Sequence, residues 1–371
     1  MKRILVFVDN FDVGGVTSVI SAIYRNIDRS EFKMDFARRN CNINDFDHEV
    51  IKNGDTVYYF NEPGMGRIPL LNYKQKQLNI SKQICKQIDG VKYDVIHIHS
   101  RPVIGLHIAM KAHIPVRIMH THEAVPDFNG DAEKSFITRL LYDNRMRVYR
   151  NVPTVKAGDS KKACIAKFGE DVVNDPRMEV IHPPVDMGKF DPSGYEKESI
   201  IRKFGIDASA FNMIHVGRLN PVKNQSFMID VLAELNKSKN AELYIVGDGE
   251  LKTELIEHAK KTGMADKVHF LPGNTTPGIY TAMDCSLLPS FSEAFGMVAV
   301  ESQVMGVPCF ASVNVPEDVD IGMCSFLELD AIKWADAIAG YDFANAKADS
   351  KKRDMFSIKS IVDKVSAIYS A

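Results

Sequence analysis

The chain has 371 residues, 45% of them hydrophobic and 25% charged, and a formal net charge of −2. That length exceeds one hydrophobic core, so two globular domains are expected, and the near-neutral charge argues against a nucleic-acid binder held by bulk positive potential. No window holds about eighteen uninterrupted apolar residues, so no membrane-spanning helix is expected. Six cysteines without a CxxC pair read as reduced, buried thiols of a cytoplasmic protein.

Met1-Lys2-Arg3 opens an apolar strand, Ile4–Val8, too short to serve as a signal peptide. Beyond Asp9 a loop carries Gly14 and Gly15, and an amphipathic helix follows with Val19, Ile20, Ile23, Tyr24 and Ile27 on one face. A glycine-rich turn from strand to helix is where a phosphate or sugar approaches the backbone in doubly wound folds. The dinucleotide fingerprint GxGxxG is missing here, so a structural turn and a ligand loop are both open readings.

Further strands are predicted at Lys33–Ala37, Thr56–Phe60, Asp94–His99, Pro115–His120 and Thr154–Ala157, with a helix at Tyr73–Ile88. The alternation predicts a parallel sheet, whose ligands bind beyond the carboxyl ends of its strands. His97, His99, His120, His122 and Glu123 fall at those ends. One histidine would read as a structural hydrogen-bonder; a cluster at consecutive strand ends points to a site. If its strand continues, His120 and His122 are expected on opposite faces.

Residues 134–150 set five cations against one anion, with Phe136, Ile137, Leu140, Leu141, Tyr142, Met146 and Val148 interleaved. Such a helix suits an anionic membrane surface; the competing reading packs its apolar stripe on its own domain. Around 183–210, Pro183-Pro184, Pro192 and Gly194 suggest an interdomain connection.

A second alternating series begins at Met213–Val216, followed by Gly217-Arg218, Lys223-Asn224 and an apolar helix face. Cations beside a helix start, where the backbone already favours anions, suit a diphosphate. The strand Glu242–Val246 ends in Gly247-Asp248-Gly249, with Lys252 where a third fingerprint glycine would stand, and Val268–Leu271 leads into Pro272-Gly273. Residues 285–309 read as strand, turn, loop and helix, the helix opening near Gly296 and stopped by Gly306 and Pro308, and an apolar run follows. Glu293 precedes that helix and Glu301 lies within it, with Phe295, Gly296 and Met297 between them. Amides at a helix start bind anions, and a carboxylate farther along suits sugar hydroxyls. Ser357–Tyr369 reads as a final helix.

Taken together, Gly217-Arg218, Lys223-Asn224, the Gly247-Asp248-Gly249 turn and Ser290 through Glu301 resemble the retaining glycosyltransferase family 4, whose glutamate–seven residues–glutamate motif Glu293 and Glu301 reproduce. The resemblance spans essentially the whole chain and is strongest from 214 to 311; Gly14-Gly15 and His120-Thr121-His122 are similar to the family's acceptor-side domain. It implies an α/β GT-B fold, two Rossmann-like doubly wound domains facing across a cleft. The expected division is 1–187 for the acceptor, 188–350 for the nucleotide sugar, and 351–371 as a helix crossing back. It implies transfer of a sugar from a nucleotide-diphosphate donor, expected to be a UDP-sugar. The acceptor would be a saccharide or a polyprenyl-diphosphate-linked saccharide at the inner membrane surface, with no nucleic acid and no metal or other cofactor.

On the same resemblance Arg218 and Lys223 would neutralise the donor diphosphate. Ala294, Phe295, Gly296 and Met297 would hold its oxygens. Glu301 would grip the ribose, and Glu293 would contact the transferred sugar. Gly14, Gly15 and Gly247 would line the donor, Leu271 and Pro272 its base, and His120 or His122 would serve the acceptor side. Asp45-Phe46-Asp47 and Asp318-Val319-Asp320 spell DxD, but two such matches are cheap in a chain with 48 acidic residues.

Two segments depart from the family pattern: His182-Pro183-Pro184-Val185-Asp186 replaces an Asn-Gly-Val-Asp turn, and Val313-Asn314-Val315-Pro316-Glu317 lacks paired glycines. The second variant resembles the branch that builds bacterial capsule and exopolysaccharide. The alternatives are a nucleotide-sugar epimerase of the same architecture and a non-catalytic sugar-nucleotide-binding protein, which would have no need of Glu293. A dinucleotide oxidoreductase would require a complete fingerprint.

Overall fold

In the computed structural model residues 1–11, 15–41, 43–61, 70–124 and 136–371 are described. Gly14, Lys134 and Ser135 lie outside them. The described chain divides into two units, Met1–Pro184 with Ile358–Ala371, and Val185–Ser357.

The first unit alternates strands and helices: β1 Lys2–Phe7, α1 Gly15–Asn26, β2 Phe32–Arg39, α2 Asp45–Lys52, β3 Val57–Phe60, α3 Leu70–Gln87, β4 Val95–Ile98, α4 Pro102–Lys111, β5 Val116–Thr121, α5 Phe136–Asn151, β6 Val155–Gly158, α6 Lys161–Phe168 and β7 Met178–Val180. The strands form one sheet in the order β3-β2-β1-β4-β5-β6-β7. Every pairing is parallel. Ile4, Leu5, Val6 and Phe7 are all buried, because a parallel strand covered on both faces needs a continuous apolar run. One face carries Val19, Ile20 and Ile23 of α1 and Phe46 and Val50 of α2. The other carries Ile80 and Ile84 of α3, Leu106 and Ile108 of α4, and Phe168 of α6.

The second unit contains α7 Lys197–Phe204, β8 Phe211–Val216, α8 Gln225–Leu235, β9 Ala241–Val246, α9 Lys252–Lys261, β10 Val268–Leu271, β11 Cys285–Leu288, α10 Met297–Val304, β12 Cys309–Ser312, β13 Cys324–Leu327, α11 Ala331–Ala339 and α12 Ser350–Asp354. Its sheet runs β10-β9-β8-β11-β12-β13, again with parallel pairings. The last helix, α13 Ile358–Ser370, belongs to the first unit, where Ile361, Val365 and Tyr369 are buried in the same core as α1. Both units are doubly wound Rossmann-like folds. Each has one topological switch point, between β1 and β4 and between β8 and β11.

Several expectations change. The segment 183–210 is not a bare connection: α7 buries Ile200, and its apolar side packs with Ile279 and Tyr280. The division falls at Pro184 because Val185 is already bound by the second unit, its amide donating to Phe356 O at 2.8 Å. Strands β7 and β13 were not read from sequence; they are sheet edges of 3 and 4 half-buried residues, too short for a periodic signal. Of the basic stretch, Met146, Val148 and Tyr149 pack into the first unit's core while Leu140 is exposed. Among the described residues no helix is long and apolar enough to cross a membrane.

Candidate functional site

The second unit gathers its predicted groups at its switch point. The loop after β8 supplies Gly217, Arg218 and Lys223, and the loop after the neighbouring β11 supplies Ser290 and Glu293. Lys223 ends a 3-10 turn, Pro221–Lys223, capped by the Asn220 side chain. Asn224 follows in the left-handed region and donates from Nδ2 to Pro289 O at 3.3 Å, while the Phe291 amide donates to Val222 O at 2.9 Å. These bonds tie the two loops together. Lys223 Nζ meets Glu293 Oε1 at 2.5 Å, and Ser290 Oγ donates to the same oxygen at 2.7 Å. Ser290 is itself fully buried, and its carbonyl accepts from Ser312 Oγ at 2.6 Å. Glu293 is therefore fixed from two sides. Arg218 is exposed and forms no ion pair among the described residues.

Backbone close to backbone explains Gly247. A Cβ there would lie 1.9 Å from Gly217 O, so the loops after β8 and β9 touch only because position 247 has no side chain. The Gly247 amide donates to Leu271 O at 3.0 Å, and Gly273 N to Asp248 Oδ2 at 3.1 Å. Leu271 and Pro272 are thus joined to the same loop cluster. Gly296, at φ 103, caps α10, and a Cβ would press on Leu288 and Val315. Gly296 and Met297 open the helix ahead of its first backbone bond. Phe295 is a core residue, buried against Phe356 with ring centroids 5.6 Å apart, and so can serve a ligand only through its backbone. Glu301 stands in the second turn of α10 and no donor among the described residues hydrogen-bonds its carboxylate. Burial pushes its pKa up to about 7, with Lys189 acting in the opposite sense. A cavity of about 680 Å³ between α8 and α9 touches Pro221 and Asn224 but not Arg218, Lys223 or Glu293.

The first unit builds a different cluster beyond the ends of β4, β5 and β6. Residues two apart share a face of a strand, and the expectation that His120 and His122 face opposite ways is overturned: both reach Asp159. His122 Nδ1 lies 2.9 Å from Asp159 Oδ1. His120 Nε2 stands 3.2 Å from the same oxygen without the alignment of a hydrogen bond. His97 Nε2 meets His120 Nδ1 at 3.1 Å, and His97 Nδ1 meets the Tyr369 hydroxyl at 2.7 Å. His99 Nδ1 meets His122 Nε2 at 2.9 Å.

The Asp159 carboxylate accepts from His122 Nδ1–H; with His122 neutral, its Nε2 accepts from His99 Nδ1–H and His99 Nε2 is left unprotonated. Both nitrogens of His120 and of His122 face protein groups, whereas His99 lines a cavity of about 440 Å³ with its second nitrogen to spare. Burial lowers the pKa of His97 and His99 well below the ordinary value and that of His120 to about 4. Burial alone would raise the Asp159 carboxyl, but His122 and His120 outweigh it and hold it well below the usual range. Gly15, the first residue of α1, lines the same cavity. It therefore sits with the imidazoles and in a different unit from Lys223 and Glu293.

The ligand atoms of His97, His99 and His120, and of His120, His122 and Asp159, lie within 4.8 Å of one another. These sets could hold a metal ion; the sequence reading clusters the four histidines but expects no metal and does not include Asp159. The DxD matches hold structure instead: Asp47 is fully buried against Arg38 and completes the cap of α2, and Asp320 Oδ1 accepts from the Gly322 and Cys324 amides.

Residues 196–318 match the family described as glycosyl transferases group 1. That stretch is of group 1 glycosyltransferase type. It contains Arg218, Lys223, Gly247, Leu271, Glu293 and Glu301, while the imidazole cluster falls outside it. EpsF of Bacillus subtilis, whose name assigns it provisionally to the glycosyltransferases, is 26% identical over 355 residues, covering 91% of this chain and 87% of that protein. The D-inositol 3-phosphate glycosyltransferase of Salinispora arenicola is 28% identical over 247 residues, 59% of this chain and 53% of that one. Among solved structures, Anabaena HepE in complex with UDP superposes with a TM-score of 0.77 at 19% identity over 100% of both chains. A glycosyltransferase from Rickettsia africae gives 0.73 at 18% identity, covering 100% of this chain and 98% of that one. These likenesses identify the fold as GT-B.

Sequence reasoning missed Asp159 and Tyr369, and named Ser290 only as part of a motif, without its bond to Glu293. Asp159 stands one residue past the end of β6, so extending the strand-end argument to that strand would have found it. Nothing local marks Tyr369, whose role depends on α13 packing beside β1.

Proposed function

We propose that the protein is a retaining glycosyltransferase that moves a sugar from a nucleotide-diphosphate donor, a UDP-sugar, to a saccharide or polyprenyl-diphosphate-linked acceptor in surface polysaccharide synthesis. The observation that carries this reading is the 2.5 Å Lys223–Glu293 pair, built from the two loops that flank the switch point of the second unit. Negative charge builds on the leaving diphosphate while the sugar becomes oxocarbenium-like. Arg218 and Lys223 oppose the first charge, and the opening of α10 at Gly296–Met297 adds its amides. Glu293, held by Lys223 and Ser290, orients the sugar, and Glu301 accepts from the ribose hydroxyls.

No further carboxylate is committed to the role of covalent nucleophile, so the diphosphate leaves from the face that the acceptor enters and its oxygen helps take the acceptor's proton. Two cations, Arg218 and Lys223, and helix amides do the work that a divalent ion does elsewhere, so turnover in excess chelator is expected to persist. Loss restored by magnesium or manganese would overturn that part. In the first unit the His99–His122–Asp159 chain is suited to hold an acceptor hydroxyl. The exposed Arg139, Leu140 and Arg147 of α5 support a contact with an anionic membrane face. Vesicle binding that salt does not weaken, or that survives neutralising Arg139 and Arg147, would remove it.

The deciding experiment incubates the protein with a panel of nucleotide sugars and an acceptor and reads the fresh product by proton NMR. An α-donor should give an α-glycoside, with free nucleoside diphosphate appearing only when acceptor is present. A β-linked product would mean inversion, and an isomerised sugar nucleotide without release would mean an epimerase. Glu293→Gln is expected to keep appreciable activity and to trap no glycosyl-enzyme.

A further inference from the structure

The imidazole cluster leaves one buried ring nitrogen over. His120 is 2% exposed, and its Nε2 has no hydrogen-bond partner among the described residues, although an Asp159 oxygen stands 3.2 Å away. A buried polar atom left unpaired costs about 1–3 kcal/mol. His122 Nδ1 lies 2.9 Å from the same Asp159 oxygen. Two imidazole nitrogens and a carboxylate oxygen thus meet at one point. Asp159 is buried with them, and a buried carboxylate favours a cation beside it.

Their spacing is that of a coordination shell. Tetrahedral zinc, with bonds of about 2.0–2.1 Å, holds its ligand atoms about 3.3 Å apart. The two separations here are 3.2 and 2.9 Å, and ligand atoms of all three residues fall within 4.8 Å of one another. Each of the three is also oriented from behind. His97 Nε2 stands 3.1 Å from His120 Nδ1 and His99 Nδ1 2.9 Å from His122 Nε2. The Asp159 amide donates to Thr121 O at 3.2 Å, and its carbonyl accepts from His182 Nδ1 at 2.9 Å. Outer partners of this kind set ring orientation and tautomer at metal sites. When the Tyr369 oxygen accepts from His97 Nδ1–H, His97 Nε2 accepts from His120 Nδ1–H, and His120 Nε2 turns a lone pair on Asp159. The other trio, His97, His99 and His120, brings no carboxylate, and both nitrogens of His97 are already engaged.

We infer that His120 Nε2, His122 Nδ1 and an Asp159 oxygen bind one transition-metal ion of zinc-like chemistry. Imidazoles with a single carboxylate select Zn²⁺ or Co²⁺ over Mg²⁺ and Ca²⁺. His120 and His122 line the cavity of about 440 Å³, through which an ion can enter. The ion displaces the His122 Nδ1 proton. That ring stays neutral by taking the His99 Nδ1 proton on its own Nε2, and His99 takes one from solvent on Nε2, so the proton count is unchanged. An ion there engages His122 and Asp159, which the proposed function gives to the acceptor hydroxyl, so zinc should silence transfer. That consequence rests on the acceptor-side reading; the site itself does not.

The test titrates zinc chloride calorimetrically into the full chain after chelator has stripped it. Wild type should take up one ion that a large excess of magnesium does not displace. X-ray absorption of the zinc-loaded wild type should show two imidazoles with oxygen ligands and no sulfur, and the cobalt form should lack a thiolate charge-transfer band. Losing a ligand should cost at least what losing an outer partner does, so Asp159→Asn should weaken uptake by about tenfold or more. No uptake by wild type, sulfur among the ligands, or equal affinity in folded Asp159→Asn overturns the inference. The absorption spectrum decides it on wild type alone if the variant does not fold. Zinc should also lower turnover, with chelator restoring it and UDP affinity unchanged. Zinc bound at two imidazoles with turnover intact upholds the site and breaks the acceptor-side reading instead.

Discussion

The two units solve the same problem with different materials. Each is a parallel sheet with one switch point, and each places its polar groups beyond the carboxyl ends of the strands. In the second unit the groups come from two loops and act through fixed charge, Lys223 against Glu293. In the first they come from three strand ends and act through imidazoles arranged around one buried carboxylate, Asp159. A charged loop site can compensate charge that grows on a leaving group. A buried imidazole chain conducts and orients protons, and burial lowers the pKa of three of its histidines so that they stay neutral.

The comparison breaks most sharply at Lys223. Replacing Lys223 or Arg218 with Ala should raise the barrier to turnover by about 2–4 kcal/mol, with a smaller loss of donor affinity. Near-normal turnover in folded Lys223→Ala would mean that charge compensation is not what the second unit supplies. Asp159→Asn probes the other side. The amide cannot serve as an anionic acceptor for both His120 and His122, so turnover should fall by about 2–3 kcal/mol while UDP affinity is retained, as for loss of an orienting charged hydrogen bond. Weakened UDP binding in that variant would show that the units do not divide the work in this way.

Acid should separate the units next. His97, His99 and His120 have depressed pKa values when folded, so below the ordinary histidine value of 6.5 the unfolded chain binds more protons and stability falls with pH. For His120 the loss runs from about 6.5 down to about 4. The depressed Asp159 carboxyl stabilises the fold above its unfolded value, and that contribution disappears at still lower pH. The second unit has one such histidine, His215, also lowered to about 4 by burial. The first unit should therefore unfold at the higher pH. Trp334, the single tryptophan, is buried in the second unit's core, so its fluorescence should persist after circular dichroism reports loss of the first sheet. Coincident transitions would count against the assignment.

The smallest effect concerns Glu301. Its carboxyl, raised to about 7 by burial, must ionise to accept from two hydroxyls. Donor KM should fall as pH rises through about 7, and Glu301→Gln should weaken donor binding by about 1–2 kcal/mol and flatten that dependence. An unchanged pH profile in the variant would place Glu301 away from the donor.

Much of this was legible in the sequence because it is local. Continuous apolar runs gave most of the strands of both sheets, since a strand covered on both faces admits few polar residues. Gly247 and Gly296 marked loops where the backbone approaches other groups, and Glu293 and Glu301 sit on one loop–helix segment whose spacing alone relates them. Edge strands β7 and β13 were not legible, because a half-exposed run of three or four residues carries too little periodicity.

What the sequence by itself determined is the element order, the doubly wound class and the identity of the charged groups after β8 and β11, all set by patterns within about a dozen residues. Only the tertiary structure decided that His120 and His122 share one carboxylate with His97 and His99 bonded behind them, that α13 brings Tyr369 to that cluster, and that four cations from four elements line one cavity. Those partners lie up to 272 residues apart. Their meeting depends on strand order in the sheet and on which helix covers which face. Both are fixed by burial of the whole core and by no local preference of the residues that meet.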